Sequence, residues 1–195
     1  MNISSNLAWT DHIQKVSSSG NRTLGFCKRN IRSKNSAIRS TAYKALVRPV
    51  LEYSSTVWSP HNKTGIDKLE RVQRRAARWV KNDYSYESSV TNMLDEMKWR
   101  PLQYRRDDAR LVLFYKIVHG LVAVPMPPYV IHPLKQTRLS HPLAYRQIHT
   151  SADYYKFSFF PLAVWQWNHL PASIVMLPTL NAFKLAVCHV SHKMP

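Results

Sequence analysis

The sequence predicts a mainly α-helical protein: a helical bundle, a long Pro-rich loop and a short C-terminal helical segment. Three observations carry this. Apolar residues recur at spacings of three and four through most of residues 10–118. Prolines at 125, 127, 128, 133 and 142 crowd one internal stretch. A last apolar run, Leu180, Phe183, Val187 and Val190, has helical spacing again. The 195 residues are enough for one domain with a real core, or for two small helical lobes. The expected organisation is a helical, basic region over 1–120, a loop or linker over 121–158, and an aromatic helical segment over 159–195 packing on the first.

The first helix should begin after Thr10, acting as N-cap, with Asp11 in its first turn. Ile13, Val16, Gly20, Leu24, Cys27 and Ile31 form its apolar stripe, and Lys15, Arg22, Lys28 and Arg29 fall mostly off it. Ser17, Ser18, Ser19 and Gly20 weaken its middle, where a kink or a division is expected. A second helix starts near Asn35 or Ser36 and should bury Ile38, Ala42, Ala45 and Leu46. It must bend at Pro49, which has no amide to donate and is suited to open a new helix carrying Val50, Tyr53 and Val57 on one side.

Thr64 and Asp67 resemble the start of a capped helix, with Asp where a capping box would use Glu. Ile66, Leu69, Val72, Ala76, Trp79 and Val80 then form a buried side. Lys68, Arg71, Arg74, Arg75, Arg78 and Lys81 occupy the rest, relieved by Glu70. Ser88 or Ser89 can cap a short helix with Val90, Met93, Leu94 and Met97. Pro101 opens another with Leu102, Ala109, Val112, Leu113 and Ile117 inward and Gly120 as its stop. From 121 to 158 a loop or clamp is expected, with short extended pieces near 154–160. A turn-rich aromatic segment, P-L-A-V-W-Q-W-N-H-L-P, follows from Pro161, and Thr179 caps the last helix.

Lys and Arg number 28 against 11 Asp and Glu, a net charge of +17, which points to a nucleic acid or another anionic surface as partner. Residues 1–108 hold 20 of the cations and 10 of the acids; beyond them Asp153 is the only acid. The first half concentrates its cations in short helical runs, so the binding face is expected there. Two cysteines far apart, Cys27 and Cys188, argue against a disulfide scaffold or a four-ligand zinc module and fit a reducing, intracellular compartment, cytoplasmic or nuclear. No apolar stretch follows Met1 as in a signal peptide. The longest apolar runs are cut by Lys116 or by prolines, so no membrane partner is expected.

The candidate binding residues are Arg48, Lys68, Arg71, Arg74, Arg75, Arg78 and Lys81. On a helix turning about 100° per residue, positions 71, 74, 75 and 78 fall within one broad face, and guanidinium forks suit phosphate oxygens. The bland alternative is a solvated helix surface; the charge of the whole chain favours contact with nucleic acid. Asp107-Asp108 invites comparison with a metal-binding carboxylate pair. Inside a helical pattern the two diverge by about 100° and sit among cations, so ion pairing with residues such as Arg110 is expected instead. Cys188, His189 and His192 form a weak metal pattern, better read as a core cysteine with tail histidines. No phosphate-cradling glycine loop or nucleophile elbow is visible, and no cofactor or metal is expected. Trp58, Trp79, Trp99, Trp165 and Trp167 should be core anchors, with at most one or two of the tyrosines and tryptophans exposed for contact.

Several strings in order resemble one family. L-A-W-T-D-H-I, L-G-F-C-K-R-N-I, A-Y-K-A-L-V-R-P-V-L-E-Y-S-S-T-V-W-S-P-H, L-E-R-V-Q-R-R-A-A-R-W-V and S-F-F-P-L-A-V-W-Q-W-N-H-L-P-A-S-I-V look like the C-terminal part of LINE-type, jockey-like non-LTR retrotransposon reverse transcriptases. The resemblance runs from about Leu7 to Val190. It implies a thumb and post-thumb region, a thumb-like helical bundle that grips a template-primer duplex. Arg48, Arg71, Arg74, Arg75 and Arg78 match the family's basic positions, and Tyr53, Trp58 and Trp79 its aromatic framework.

The family's catalytic hairpin with two aspartates has no counterpart, and its polymerisation needs those carboxylates for Mg2+. The resemblance therefore implies a truncated, retrotransposon-derived fragment that binds RNA or RNA:DNA duplex without being an enzyme on its own. The alternatives are one segment of a complete RNA-directed DNA polymerase whose palm is encoded upstream, and a relic with no retained function.

Overall fold

In the computed structural model the described residues are 9–135 and 140–190. They are mainly helical, with no strand among them. The chain divides into two compact units: Met1–Ser54 with Pro60–Gln103, and Ser55–Ser59 with Tyr104–Pro195. His192 and the residues before Trp9 lie outside the described residues.

The first unit contains α1 (Thr10–Asn30), α2 (Ser36–Ala42), a π-helical turn (Tyr43–Val47), α3 (Arg48–Glu52), α4 (Lys63–Lys81) and α5 (Val90–Glu96). α1 does not divide at its serines. It is one 21-residue helix, and Thr10 is its first residue, not its cap. Its run of small residues is packing surface: Ser17 and Gly20 are buried, and a Cβ on Gly20 would stand 2.6 Å from Leu51 Cδ2 and 3.5 Å from Val72 Cγ1. The absent side chain lets α3 and α4 approach the α1 backbone closely.

The face that α2 buries differs from the expected one. Arg39, Tyr43, Val47 and Leu51 are buried, whereas Ile38 and Leu46 are 49% and 47% exposed and Ala45 is exposed. A spacing of four drifts by about 40° per step on an α-helix. The π-helical turn, closed by Arg48 N–H donating to Tyr43 O, fits more residues into one turn, so each advances by less than 100°, which offsets the drift and keeps the four on one side. It ends two residues before Pro49, whose missing amide disrupts the α-helical ladder at this point. The expected break is thus a π turn followed by α3, and the buried stripe moves by one residue.

α4 buries Leu69, Val72, Ala76, Trp79 and Val80 as expected, and also Gly65, Gln73 and Ala77, while Ile66 is only half-buried. Its cap is Asn62, not Thr64: the Asn62 side chain accepts from Gly65 N–H at 2.7 Å. Gln73 is 1% exposed and satisfied at both ends, accepting from Tyr43 Oη at 2.8 Å and donating to Arg100 O at 3.0 Å. Tyr43 also stacks on Trp99, with ring centroids 4.3 Å apart. Ser89 caps α5 by accepting from Asn92 N–H.

The second unit is built on α6 (Leu102–Val118), which belongs to it from Tyr104 onward, with α7 (Asp153–Lys156), α8 (Phe159–Asn168), α9 (Ala172–Val175) and α10 (Leu180–Val190). Gly120, at φ 63°, stops α6 as expected. The stretch expected to be extended near 154–160 is the short helix α7 and the start of α8. The aromatic segment expected to be turn-rich is helical α8. Pro161 fits there because a first-turn residue has no intrahelical acceptor for its amide.

Phe114, Tyr115, Trp167, Phe183 and Val187 lie in the core of this unit, and Val130 and Tyr145 from the Pro-rich stretch join them. Asn168 holds that stretch down, donating to Tyr145 O at 2.7 Å and accepting from Tyr145 N–H at 3.0 Å. His141 Nε2 donates to Trp167 O at 3.0 Å, and Trp167 Nε1 donates to Leu143 O at 2.8 Å. Thr179 Oγ1 accepts from Ala182 N–H at the start of α10.

Two glycines of α1 should respond with opposite signs. Gly20→Leu should lower the stability of the first unit by about 1–3 kcal/mol through overpacking against Leu51. Gly25→Ala, where a Cβ would meet only the flexible end of Arg29 at 3.3 Å, should raise it by about 0.5–1 kcal/mol. Urea denaturation of the two variants checks this; equal effects at the two positions would contradict it.

Candidate functional site

The cations on α4 are spread over an arc of about 140° at 100° per residue. Arg71, Arg74 and Arg75 are exposed; Lys68, Arg78 and Lys81 are half-buried. They differ in what they hold. Arg74 Nη2 donates to Thr91 Oγ1 at 3.3 Å, and Arg75 Nη1 donates to Asn21 Oδ1 on α1 at 2.9 Å. Each leaves most of a guanidinium fork turned to solvent. Arg78 donates to two carbonyls, Ser85 O at 2.8 Å and Ser88 O at 3.4 Å, and so clasps the turn that follows α4. Lys81 is paired with Glu96 on α5.

Arg71 is exposed at the middle of the arc. Arg48 lies on a different element, α3, and is half-buried in a 3.9 Å pair with Glu52. Of the expected site residues, Arg71, Arg74 and Arg75 thus form the open part of one face, while Arg78 and Lys81 also fasten α4 to its surroundings. Glu70 is not the only acid near the arc, because Asp67 falls inside it by helical geometry. Glu70 itself accepts from Gln103 N–H at 3.0 Å.

Sequence periodicity missed Lys28, Tyr84 and Tyr86. Lys28, exposed on α1, stands seven residues from Asn21, about two helical turns away. Its ammonium lies 5.7 Å from the centroid of the Tyr84 ring. Partial burial, and then the neighbouring charge of Arg75, pull its pKa below the ordinary lysine value. Two cations from different helices are therefore held close enough to repel. The only sequence signal was that Lys28 falls off the apolar stripe of α1.

The aromatic expectation needs correction. Trp58, Trp79, Trp99 and Trp167 are buried core anchors, but Tyr53, Tyr84, Tyr86, Tyr129, Tyr154 and Tyr155 are all exposed. Tyr43, Tyr115 and Tyr145 are buried like those four tryptophans, and Trp165, expected as a further core anchor, is half-buried. Tyr53, expected to share an aromatic framework with Trp58 and Trp79, is 76% exposed, whereas those two are buried.

In the second unit Asp107 accepts from Arg110 Nη1 at 2.7 Å and from Gln166 Nε2 at 3.0 Å, and Arg110 also donates to Gln166 Oε1 at 3.0 Å. The ion pair expected on a helix surface is instead largely buried, at 3% and 19% side-chain exposure. Asp108 turns elsewhere, accepting from Cys188 Sγ at 3.5 Å. The two carboxylates thus have separate neighbours. Cys188 is exposed, contrary to its reading as a core cysteine, while Cys27 is buried, which pushes its thiol up. Among the described residues no group of three His, Cys, Asp or Glu side chains could hold a metal ion, and no helix is long and apolar enough to cross a membrane.

No family model, curated protein or solved structure matches the chain.

The repulsion at Lys28 has a measurable sign. Its folded pKa is lowered, so its charge opposes folding at neutral pH, and that penalty is relieved as pH rises through the folded Lys28 range. Lys28→Gln should raise the thermal midpoint at low salt, and the gain should shrink as salt screens the Arg75 charge. A lower midpoint at every salt concentration would contradict the like-charge contact.

Proposed function

We propose that this chain binds RNA or an RNA:DNA duplex, without a base code, through the cations of α4. The observation that carries this is the exposure of Arg71, Arg74 and Arg75 along one face of a 19-residue helix whose opposite face is buried. A rigid helix with its apolar side fixed in a core holds the guanidinium groups at set spacings, so less side-chain and backbone ordering is needed on binding. Each phosphate neutralised releases counterions, a gain that is indifferent to sequence. The Lys28 charge is disfavoured by partial burial and then by the neighbouring Arg75, and a bound polyanion would offset that cost.

The proposal extends to the role that the sequence strings imply: a thumb-like helical unit derived from a non-LTR retrotransposon reverse transcriptase, gripping template-primer without catalysing polymerisation itself. The aspartates in Asp107-Asp108 fit that reading, since Asp107 is held in a pair with Arg110 and Gln166.

A second reading is that the chain completes a larger polymerase whose palm is encoded upstream. It is favoured by the apolar positions that the helical pattern marks for burial and the fold leaves open: Ile38 at 49% and Leu46 at 47% exposure. The coding sequence upstream of the Met1 codon discriminates. An open frame carrying paired aspartates supports this reading, and stop codons oppose it.

Binding to a duplex probe should show a log–log salt slope of about −3 or steeper, from the three open arginines at about 0.9 per phosphate contact. Reversing Arg71, Arg74 and Arg75 together to Glu should abolish binding at moderate salt and leave the far-UV circular dichroism unchanged. Arg78 is left intact because it also holds the following turn. A flat slope, or unchanged affinity in the triple variant, would refute the proposal.

A further inference from the structure

We infer that the turn at residues 82–89 is a base-stacking platform that makes this surface prefer single-stranded over duplex nucleic acid; the inference rests on the α4 reading above.

The turn is built, not merely connected. Asn82 ends α4 in the left-handed region at φ 54°, and Asp83 N–H donates back to Arg78 O at 3.1 Å. Arg78 then clasps Ser85 O and Ser88 O from inside. Asp83 Oδ1 accepts from Ser85 N–H at 2.9 Å, and Ser85 Oγ accepts from Glu87 N–H at 3.3 Å. These bonds set the backbone between them, and that backbone displays two large rings two residues apart. Tyr84 is 60% exposed and Tyr86 is fully exposed at 100%.

A ring face so presented offers a stacking surface to any base, because every base has a π-face. Only an unpaired base can use it, since bases within a duplex already stack on one another. The surrounding charge sorts the two parts of a nucleotide. Lys28 stands over one face of the Tyr84 ring, 5.7 Å from its centroid, and with the nearby Arg75 offers a cation for phosphate beside the stacking surface.

The turn itself carries acids. Asp83 is hydrogen-bonded to Ser88 and Ser85 and sits near Arg78, and Glu87 is exposed. They disfavour a phosphate lying over the turn, while the Tyr86 ring and the exposed part of the Tyr84 ring stay open to a base. The arrangement suits a strand whose backbone follows α1 and α4 and whose splayed bases reach Tyr84 and Tyr86.

The test compares a fluorescent single-stranded oligouridylate with a blunt duplex of equal length by anisotropy at one salt concentration. Wild type should bind the single strand more tightly. Y84A/Y86A should lose about tenfold in single-strand affinity, within the range of base–aromatic stacking, and change duplex affinity by less than about twofold. Y84F/Y86F should restore single-strand binding, because stacking needs the ring and not the hydroxyl.

The inference is overturned if the Ala pair leaves single-strand binding intact, if it weakens both probes equally, or if Y84F/Y86F behaves like the Ala pair. If wild type shows a steep salt slope on duplex but no stacking loss, only this inference fails. If it binds neither probe, the α4 reading fails with it.

Discussion

The guanidinium of Arg39 closes the C-terminal end of α4 from within the protein, and the geometry of the first unit depends on that contact. Arg39 is 6% exposed; it donates to Trp79 O at 2.7 Å, to Asn82 Oδ1 at 3.1 Å and to Ser33 O at 2.7 Å, and its guanidinium lies 5.5 Å from the centroid of the Trp79 ring. These partners are neutral oxygens and a ring face. A cation suits this place because the carbonyls at a helix C-terminus carry the negative end of the helix dipole. Each buried partner left without its donor would cost about 1–3 kcal/mol. The contact therefore fixes how α2 meets α4, and with it which side of α4 is turned outward.

From that constraint the candidate surface follows. With Arg39 placed inward, Tyr43, Val47 and Leu51 fall into line behind it across the π-helical turn, and Tyr43 locks Gln73 in the middle of α4. Gly20 admits Leu51 and Val72 against α1, which brings Asn21 to Arg75 and places Lys28 near the same charge. One side of α4 is spent entirely on packing. The other is left to arginines whose remaining donors have no use inside the fold, and to Arg78, which shapes the tyrosine-bearing turn.

The α4 register was legible in the sequence because its apolar residues follow a plain helical period and its cations fall between them. The tryptophan anchors and the Ser89, Thr179 and Gly120 helix boundaries were legible for similarly local reasons. The buried face of α2 was not, since a π turn rotates less per residue than a fixed 100° rule assumes and since its first buried residue is an arginine. Helical α8 was misread because Pro161 looks like a breaker, although in a first turn it removes no bond. Tyr84 and Tyr86 lie between helices, where periodicity is silent on exposure, and the Arg78 contacts that hold their turn have no signature in composition. Lys28 joined the site only once α1 had been packed beside α4.

The central claim, that α4 and the turn after it form one nucleic-acid surface, is tested most directly by photo-cross-linking. The full chain would be irradiated with a single-stranded RNA carrying 4-thiouridine, and the modified peptides mapped by mass spectrometry. The account predicts cross-links concentrated within residues 71–86, with tyrosines 84 and 86 the most heavily modified, and their loss on addition of excess polyanion. Cross-links confined to residues 104–190, or spread evenly over the chain, would contradict it.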